Sequence, residues 1–440
     1  MTRLPLALRL SPERAAVGVA LLGGVLAAWN ALSYPSGAGY DAASHREFAD
    51  FLIQHHRLPH RNETPEYYSP PLYYALAGVL TWVGRQAGLA DPHKLGQLLN
   101  VSAVFGTVLL VAALGRMLWP QLRWLPVVAG AFVALSPVLQ RTAAMFHPEP
   151  TDLFLSALCA YLAARLLVRP GRGLGAAVAL GAALGASQMV RQFGLYTLAV
   201  VVLAFFAALV SNRRDRGPLL RSLAVALAVC AVIAGPWYAY RAANYTNPIF
   251  DRPHSTKPFL ERRPASFYLG TGLPQVFTAP YRPEFKNRLW PQTYADIWGD
   301  WYGVFAWSAE SGRPPSTAER AWLGVQSAVG VLPTVLALAG WLALLVSSLR
   351  RLDGPRLLVA LMPLAGLAGY LYFAIGYPTP DGDVLKPTFM LSTLWAWALC
   401  FALSAAWLAR RLPRLALWSL LALAVIDLPF VVYRGGVGFF

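Results

Sequence analysis

Long stretches of this chain are apolar and almost uncharged, and each is long enough, at roughly 18 or more residues, to cross about 30 Å of hydrocarbon as a helix. Eleven such segments lie near residues 15–33, 97–115, 124–140, 150–168, 174–190, 193–210, 219–238, 321–348, 357–376, 387–409 and 415–433. In lipid, every backbone N–H and C=O must be satisfied within the chain, so this repetition dictates a bundle of helices. The expectation is an all-α polytopic membrane protein. Its composition agrees: of 440 residues, 57% are hydrophobic and only 13% charged. Arg3, Arg9 and Arg14 precede the first run, but no small-residue cleavage site follows, so the run reads as a retained span. The fifth segment, with Gly173, Gly181 and Gly185, suits close helix packing better than lipid contact.

A net charge of +16 raises nucleic acid as a partner, and its distribution removes it. With the N-terminus cytoplasmic, the inner segments hold Arg3, Arg9, Arg14, Arg116, Arg123, Arg165, Arg169 and Arg172. They also hold Arg213, Arg214, Arg216, Arg221, Arg350, Arg351, Arg356, Arg410, Arg411 and Arg414, against only the acids Glu13, Asp215 and Asp353. An inner excess of this kind is the orientation signal of membrane proteins. Residues 70–87 resemble a span, but counting them would invert every later loop; the run is short and opens on Pro70-Pro71, and reads as an interfacial helix. The resulting map is a transmembrane module over 1–240 with an external loop at 34–96, a second external segment at 241–320 with interfacial helices, and C-terminal spans over 321–440. Cys159, Cys230 and Cys400 all lie in apolar runs without metal-type spacing.

The ionisable chemistry falls on the outer side. Asp41 follows the first span and opens an amphipathic stretch bearing His45, Phe48, Leu52 and His55; it is either a functional acid or an N-cap. Glu149, between Pro148 and Pro150, sits in a rigid turn, where it is functional or merely solvated. Asp152 reads as a cap, and His147 either orients a carboxylate or faces water. Arg191 and Lys386 run against the inside-positive trend and need an anionic partner or snorkel to the headgroups; snorkelling suits Arg434. In residues 292–307, Tyr294, Trp298, Trp301, Tyr302 and Phe305 share a helical stripe, with Asp296 and Asp300 on another face. That is an interfacial aromatic belt or a lid over sugars. His45, His55, His56 and His60 match no standard metal spacing, which leaves room for a divalent cation near Asp41 and Glu149 without demanding one.

In chain order, Asp41, the Pro70–Tyr74 stretch, Glu149-Pro150, Arg191, Gly235-Pro236-Trp237-Tyr238 and the Lys386–Phe389 stretch resemble the GT-C class of membrane glycosyltransferases. Protein O-mannosyltransferases and lipid A aminoarabinose transferases are the families most similar in pattern. The likeness covers residues 15–240 and, locally, 380–400; it departs at Ala42 and at Ser69. It implies transfer of a sugar from a polyprenyl-phosphate donor to a lipid, glycan or protein acceptor, with inversion, on the outer face of a bacterial cytoplasmic membrane. In that scheme Asp41 is the base and Glu149 positions the acceptor or the base. Lys386 and Arg191 bind the donor phosphate, and His45, Tyr73, His147, Asp296, Trp298 and Asp300 contact substrate. From the residues alone, a transporter or lipid flippase and a non-catalytic relative stay open. Against transport, the acids lie at the outer boundary and no internal repeat is visible.

Overall fold

The computed structural model describes residues 11–171, 173–245, 256–305, 314–379 and 384–433; Arg3, Arg9, Arg172 and Arg434 lie outside them. All regular structure among the described residues is helical. The helices are α1 (Pro12–Ser33), α2 (Ala42–His55), α3 (Leu72–Gln86), α4 (His93–Leu118), α5 (Leu125–Ala134), α6 (Pro137–Ala144), α7 (Glu149–Val168), α8 (Leu174–Val190) and α9 (Gly194–Ser211). They continue with α10 (Arg216–Asn244), α11 (Ala265–Leu269), α12 (Gln275–Thr278), α13 (Leu289–Trp298), α14 (Thr317–Arg351), α15 (Gly354–Gly376), α16 (Leu394–Arg411) and α17 (Pro413–Val431). Among the described residues, nine helices are long and apolar enough to cross a membrane, and a tenth crossing arises if the bent pair α5–α6 counts as one; α8 is a shorter apolar helix. The chain is a polytopic membrane protein, and the eleven expected segments all fall on these helices.

Close packing replaces lipid contact where the sequence is rich in small residues. A Cβ at Gly181 would lie 2.4 Å from the Ala226 carbonyl and one at Gly185 2.7 Å from Ile233 Cβ, so α8 and α10 touch backbone to backbone. Gly340 brings α14 equally close to α16, its virtual Cβ meeting the Cys400 carbonyl at 2.0 Å.

Three local expectations are corrected. The segment 124–140 is not one helix: α5 and α6 meet at 49° around Leu135-Ser136. Pro137 has no N–H to continue the ladder. The Gln140 amide instead donates to the Ala134 carbonyl (2.8 Å) and to Gly23 (3.3 Å), satisfying backbone that the break exposes. The Gly235–Tyr238 stretch does not close its helix, since α10 runs through Pro236 to Asn244. The aromatic stripe is not helical throughout: α13 ends at Trp298 on Gly299. Beyond that point Trp301, Tyr302 and Phe305 turn into a buried cluster with Tyr34 and Tyr40.

Candidate active site

One end of the bundle gathers the start of α2, the start of α7, the end of α8 and the turn leading into α16. The opposite ends of α4, α7 and α16 carry Arg116, Arg165 and Arg410-Arg411. Asp41, Glu149, Arg191 and Lys386 are thus placed at one end, far from the arginine-rich ends.

Asp41 occupies the N-cap position of α2 in a left-handed conformation (φ 49°), yet its side chain caps nothing. Its Oδ2 instead receives Lys386 Nζ at 2.8 Å, with the Asp41 side chain 52% exposed. Lys386 itself is buried, and its ammonium sits 5.4 Å from the centre of the Tyr40 ring. Partial burial pushes the Asp41 carboxyl up. The Lys386 ammonium outweighs this and holds it below the ordinary aspartate value.

Behind this pair lies a closed one. Glu149 is the first residue of α7, where the helix dipole favours a carboxylate. Its Oε1 accepts from Arg191 Nε at 2.7 Å and from Arg191 Nη2; its Oε2 lies against His147 Nδ1. Glu149, Arg191 and His147 are all buried. Arg191 therefore finds its anionic partner within the protein. Asp152 is not a cap: it is buried one turn deeper and accepts from Ser187 Oγ at 2.7 Å.

His45 packs edge-on to His147, with ring centres 4.7 Å apart, and its Nδ1 shares a hydrogen bond with Tyr74 OH at 2.9 Å. Burial, reinforced by the adjacent His147 ring and the Arg191 guanidinium, lowers its basicity well below that of an ordinary histidine. Its Nε2 is buried without a hydrogen-bond partner. Tyr73 is fully enclosed, its ring centre 5.5 Å from that of Tyr74 and 5.8 Å from that of Phe146. Tyr73 supports the site from behind instead of lining an open surface.

Glu66, which sequence reasoning passed over, completes the cluster. Its Oε2 accepts from Ser69 Oγ at 2.5 Å and lies 3.8 Å from His45 Nδ1 and 3.9 Å from Arg191 Nη1. Burial raises its carboxyl above the usual glutamate value, against the pull of Arg191.

Asp296 and Asp300 lie apart from this constellation. Both are buried against Arg141, which donates to the Asp296 carbonyl at 2.5 Å and to the Gly299 carbonyl and sits 3.3 Å from Asp296 Oδ2. Asp300 Oδ2 accepts the Phe305 amide at 2.7 Å. Asp296 Oδ2 also accepts from Tyr40 OH at 2.8 Å. Both carboxylates are buried against protein groups, so the picture of a lid offering acids to sugar hydroxyls does not describe them. Trp298 is buried and donates to Thr334 Oγ1 at 2.9 Å. It borders an apolar cavity of about 520 Å³ enclosed by α5, α13, α14, α16 and α17. Pro387 and Met390, which follow Lys386, form part of the same wall.

The acids at this end are held by protein groups, and the exposed face of Asp41 leaves room for a divalent cation without demanding one. Glu149 is engaged by Arg191 and His147, Asp41 by Lys386, and Glu66 by Ser69. Among the described residues, no group of three or more His, Cys, Asp or Glu is arranged to hold a metal ion.

No protein-family model and no curated protein matches the sequence. Solved structures do match the fold. The archaeal oligosaccharyltransferase AglB from Archaeoglobus fulgidus, in complex with an inhibitory peptide and a dolichol-phosphate, aligns at 14% identity with a TM-score of 0.59, over 96% of this chain and 56% of that one. The Archaeoglobus fulgidus oligosaccharyltransferase in complex with Zn and sulfate aligns at 16% identity with a TM-score of 0.56, over 95% of this chain and 53% of that one. ArnT from Cupriavidus metallidurans, a lipid A aminoarabinose transferase, aligns at 19% identity with a TM-score of 0.54, over 93% of this chain and 62% of that one. The chain thus spans under two thirds of each of these proteins and has the fold of GT-C membrane glycosyltransferases.

Proposed function

We propose that this chain transfers a sugar from a polyprenyl-phosphate donor to a hydroxyl or amine acceptor on the outer face of a bacterial cytoplasmic membrane, with inversion. The observation that carries the reading is the half-exposed Asp41 carboxylate paired with Lys386, whose chain neighbour Pro387 lines an apolar cavity. The likeness in fold to glycosyltransferases supports it. AglB, solved with a dolichol-phosphate, handles a ligand of the required kind, a long prenyl chain ending in phosphate.

The residues divide the work as follows. The cavity beside Pro387 and Met390 takes the start of the prenyl tail. The donor phosphate draws the Lys386 ammonium off Asp41, which both neutralises the leaving group and frees the carboxylate. Asp41 then removes the proton from the acceptor O–H or N–H as that atom attacks the anomeric carbon. The bond from the anomeric carbon to the phosphate oxygen breaks, and its electron pair leaves on the polyprenyl phosphate. Phosphate is a good leaving group, so no separate general acid is needed. Glu149 stays locked by Arg191 and His147 and fixes the wall behind Asp41. The arginine-rich helix ends at the opposite side of the bundle, read as cytoplasmic, support an external site and a cytoplasmic N-terminus.

The test is transfer by protein reconstituted with a polyprenyl-phosphate sugar, read by mass spectrometry of the acceptor fraction. A new glycosidic bond that disappears in Asp41→Asn supports the reading. Wild-type transfer by Asp41→Asn overturns the assignment of the base. Flux of intact donor across sealed vesicles, with no new bond, replaces the enzyme with a transporter.

A further inference from the structure

The second external segment holds apolar surface that, apart from Trp290 at the cavity wall, neither the site nor the core uses. Leu260 is 66% exposed, Leu269 79%, Leu273 59%, Phe277 38% and Trp290 51%. They belong to a 3-10 turn (Phe259–Arg262), α11, α12, α13 and the links between them. We propose that residues 259–290 form an arm immersed in the outer leaflet, and that the partner of this surface is an anionic phospholipid layer.

Depth is the first argument. The Phe259 ring stacks on Tyr372 of the α15 span, with centres 5.6 Å apart. On the other flank α12 lies against α14, where a Cβ at Gly324 would meet the Phe277 carbonyl at 2.6 Å. Gly324 is two turns inside α14, about 10 Å along the axis at ~1.5 Å per residue. Next to it α14 presents Val325 and Val331 outward, 45% and 41% exposed, as a lipid-facing span must. The apolar side chains of the arm are therefore continuous with the outward apolar surface of α14.

Charge is the second argument. Across residues 256–290 the bases Lys257, Arg262, Arg263, Arg282, Lys286 and Arg288 outnumber the acids Glu261 and Glu284; Lys286 is exposed, and Arg262 lies over the Phe259 ring at 5.6 Å. Apolar side chains ringed by cations characterise segments that lie in the interface of an anionic membrane. A lid standing in water would leave the same leucines hydrated and unfavourably placed. Trp290 is both exposed and part of the cavity wall, so the arm borders the cavity mouth on the lipid side.

The experiment needs no substrate, so its outcome is separate from that of the transfer assay. Leu269→Cys and, independently, Leu273→Cys are labelled with an environment-sensitive dye; the native cysteines are buried, and unmutated protein treated identically sets the background. The protein is placed in nanodiscs of phosphatidylglycerol with phosphatidylcholine. Expected are blue-shifted emission and several-fold stronger quenching by lipids bearing a doxyl group near the glycerol than by aqueous iodide. Replacing phosphatidylglycerol with phosphatidylcholine is expected to weaken the lipid quenching. Iodide quenching equal to that of the free cysteine–dye adduct, with no doxyl effect at either position, overturns the proposal. Equal lipid quenching in both compositions overturns its anionic part.

Discussion

Two acid–cation clusters sit near the same end of the bundle and differ in what their carboxylates can still do. In the first, Asp41 is half exposed and has one cationic partner, Lys386. In the second, Asp296 and Asp300 are buried against Arg141 and also receive Tyr40 OH and backbone amides. The same residue types therefore serve opposite ends. An acid held on one side by a displaceable ammonium is available to substrate, whereas an acid enclosed by a guanidinium, a phenol and amides is a pin. That pin ties the broken span at α6 to the external helix α13, and through Tyr40 it reaches the residue next to Asp41.

The comparison predicts its own failures. Asp41→Asn removes the base and one ion pair with Lys386, so transfer should fall by roughly 10²–10⁴-fold with the fold retained and the melting temperature lowered far less than in Arg141→Met. A loss of folding instead would make Asp41 a structural acid like Asp296. Arg141→Met should do the reverse. It strands two buried carboxylates and should cost about 3–5 kcal/mol of stability, read as a lower unfolding temperature in detergent. Adding Asp296→Asn and Asp300→Asn should recover part of that loss.

Lys386→Met should weaken donor binding by about ten- to a hundredfold, the worth of one charge-assisted contact. It also has a pH signature. Lys386 holds the Asp41 carboxyl below the usual aspartate value, so the stabilisation of that pair is present above the unfolded value and lost as pH falls through the folded one. In the wild type, activity should persist down to acidic pH, and Lys386→Met should move the acid limb of the pH–rate profile upward. A limb that does not move would place the titration elsewhere. Tyr40→Phe is the mildest change. It keeps the ring beneath Lys386 and removes one hydrogen bond to Asp296, worth about 1 kcal/mol, so transfer should stay within about twofold. Tyr40→Leu, which also loses the ring, should fall further.

Much of this was legible in the sequence, and the illegible part has a common cause. Apolar run length places the spans, because hydrocarbon thickness is a one-dimensional constraint. Cations that defy the expected inside-positive trend point to Arg191 and Lys386, and the same signal marks Arg141. The pairing of those cations is set by tertiary contact across 345 residues for Lys386 and Asp41 and 42 for Arg191 and Glu149, which no local pattern records. Glu66 carries no signal at all, since only the folding of its loop beneath Arg191 buries it. The aromatic stripe misled because helical spacing was carried past Gly299, where the helix stops.

The most direct measurement is mass spectrometry of the lipid that accompanies purified wild-type protein, Asp41→Asn and Lys386→Ala. The account predicts a polyprenyl phosphate or its glycoside on the wild type, retained in Asp41→Asn and depleted in Lys386→Ala. Ordinary phospholipid alone, in equal amount on all three and unchanged after polyprenyl phosphate is added back, would contradict it.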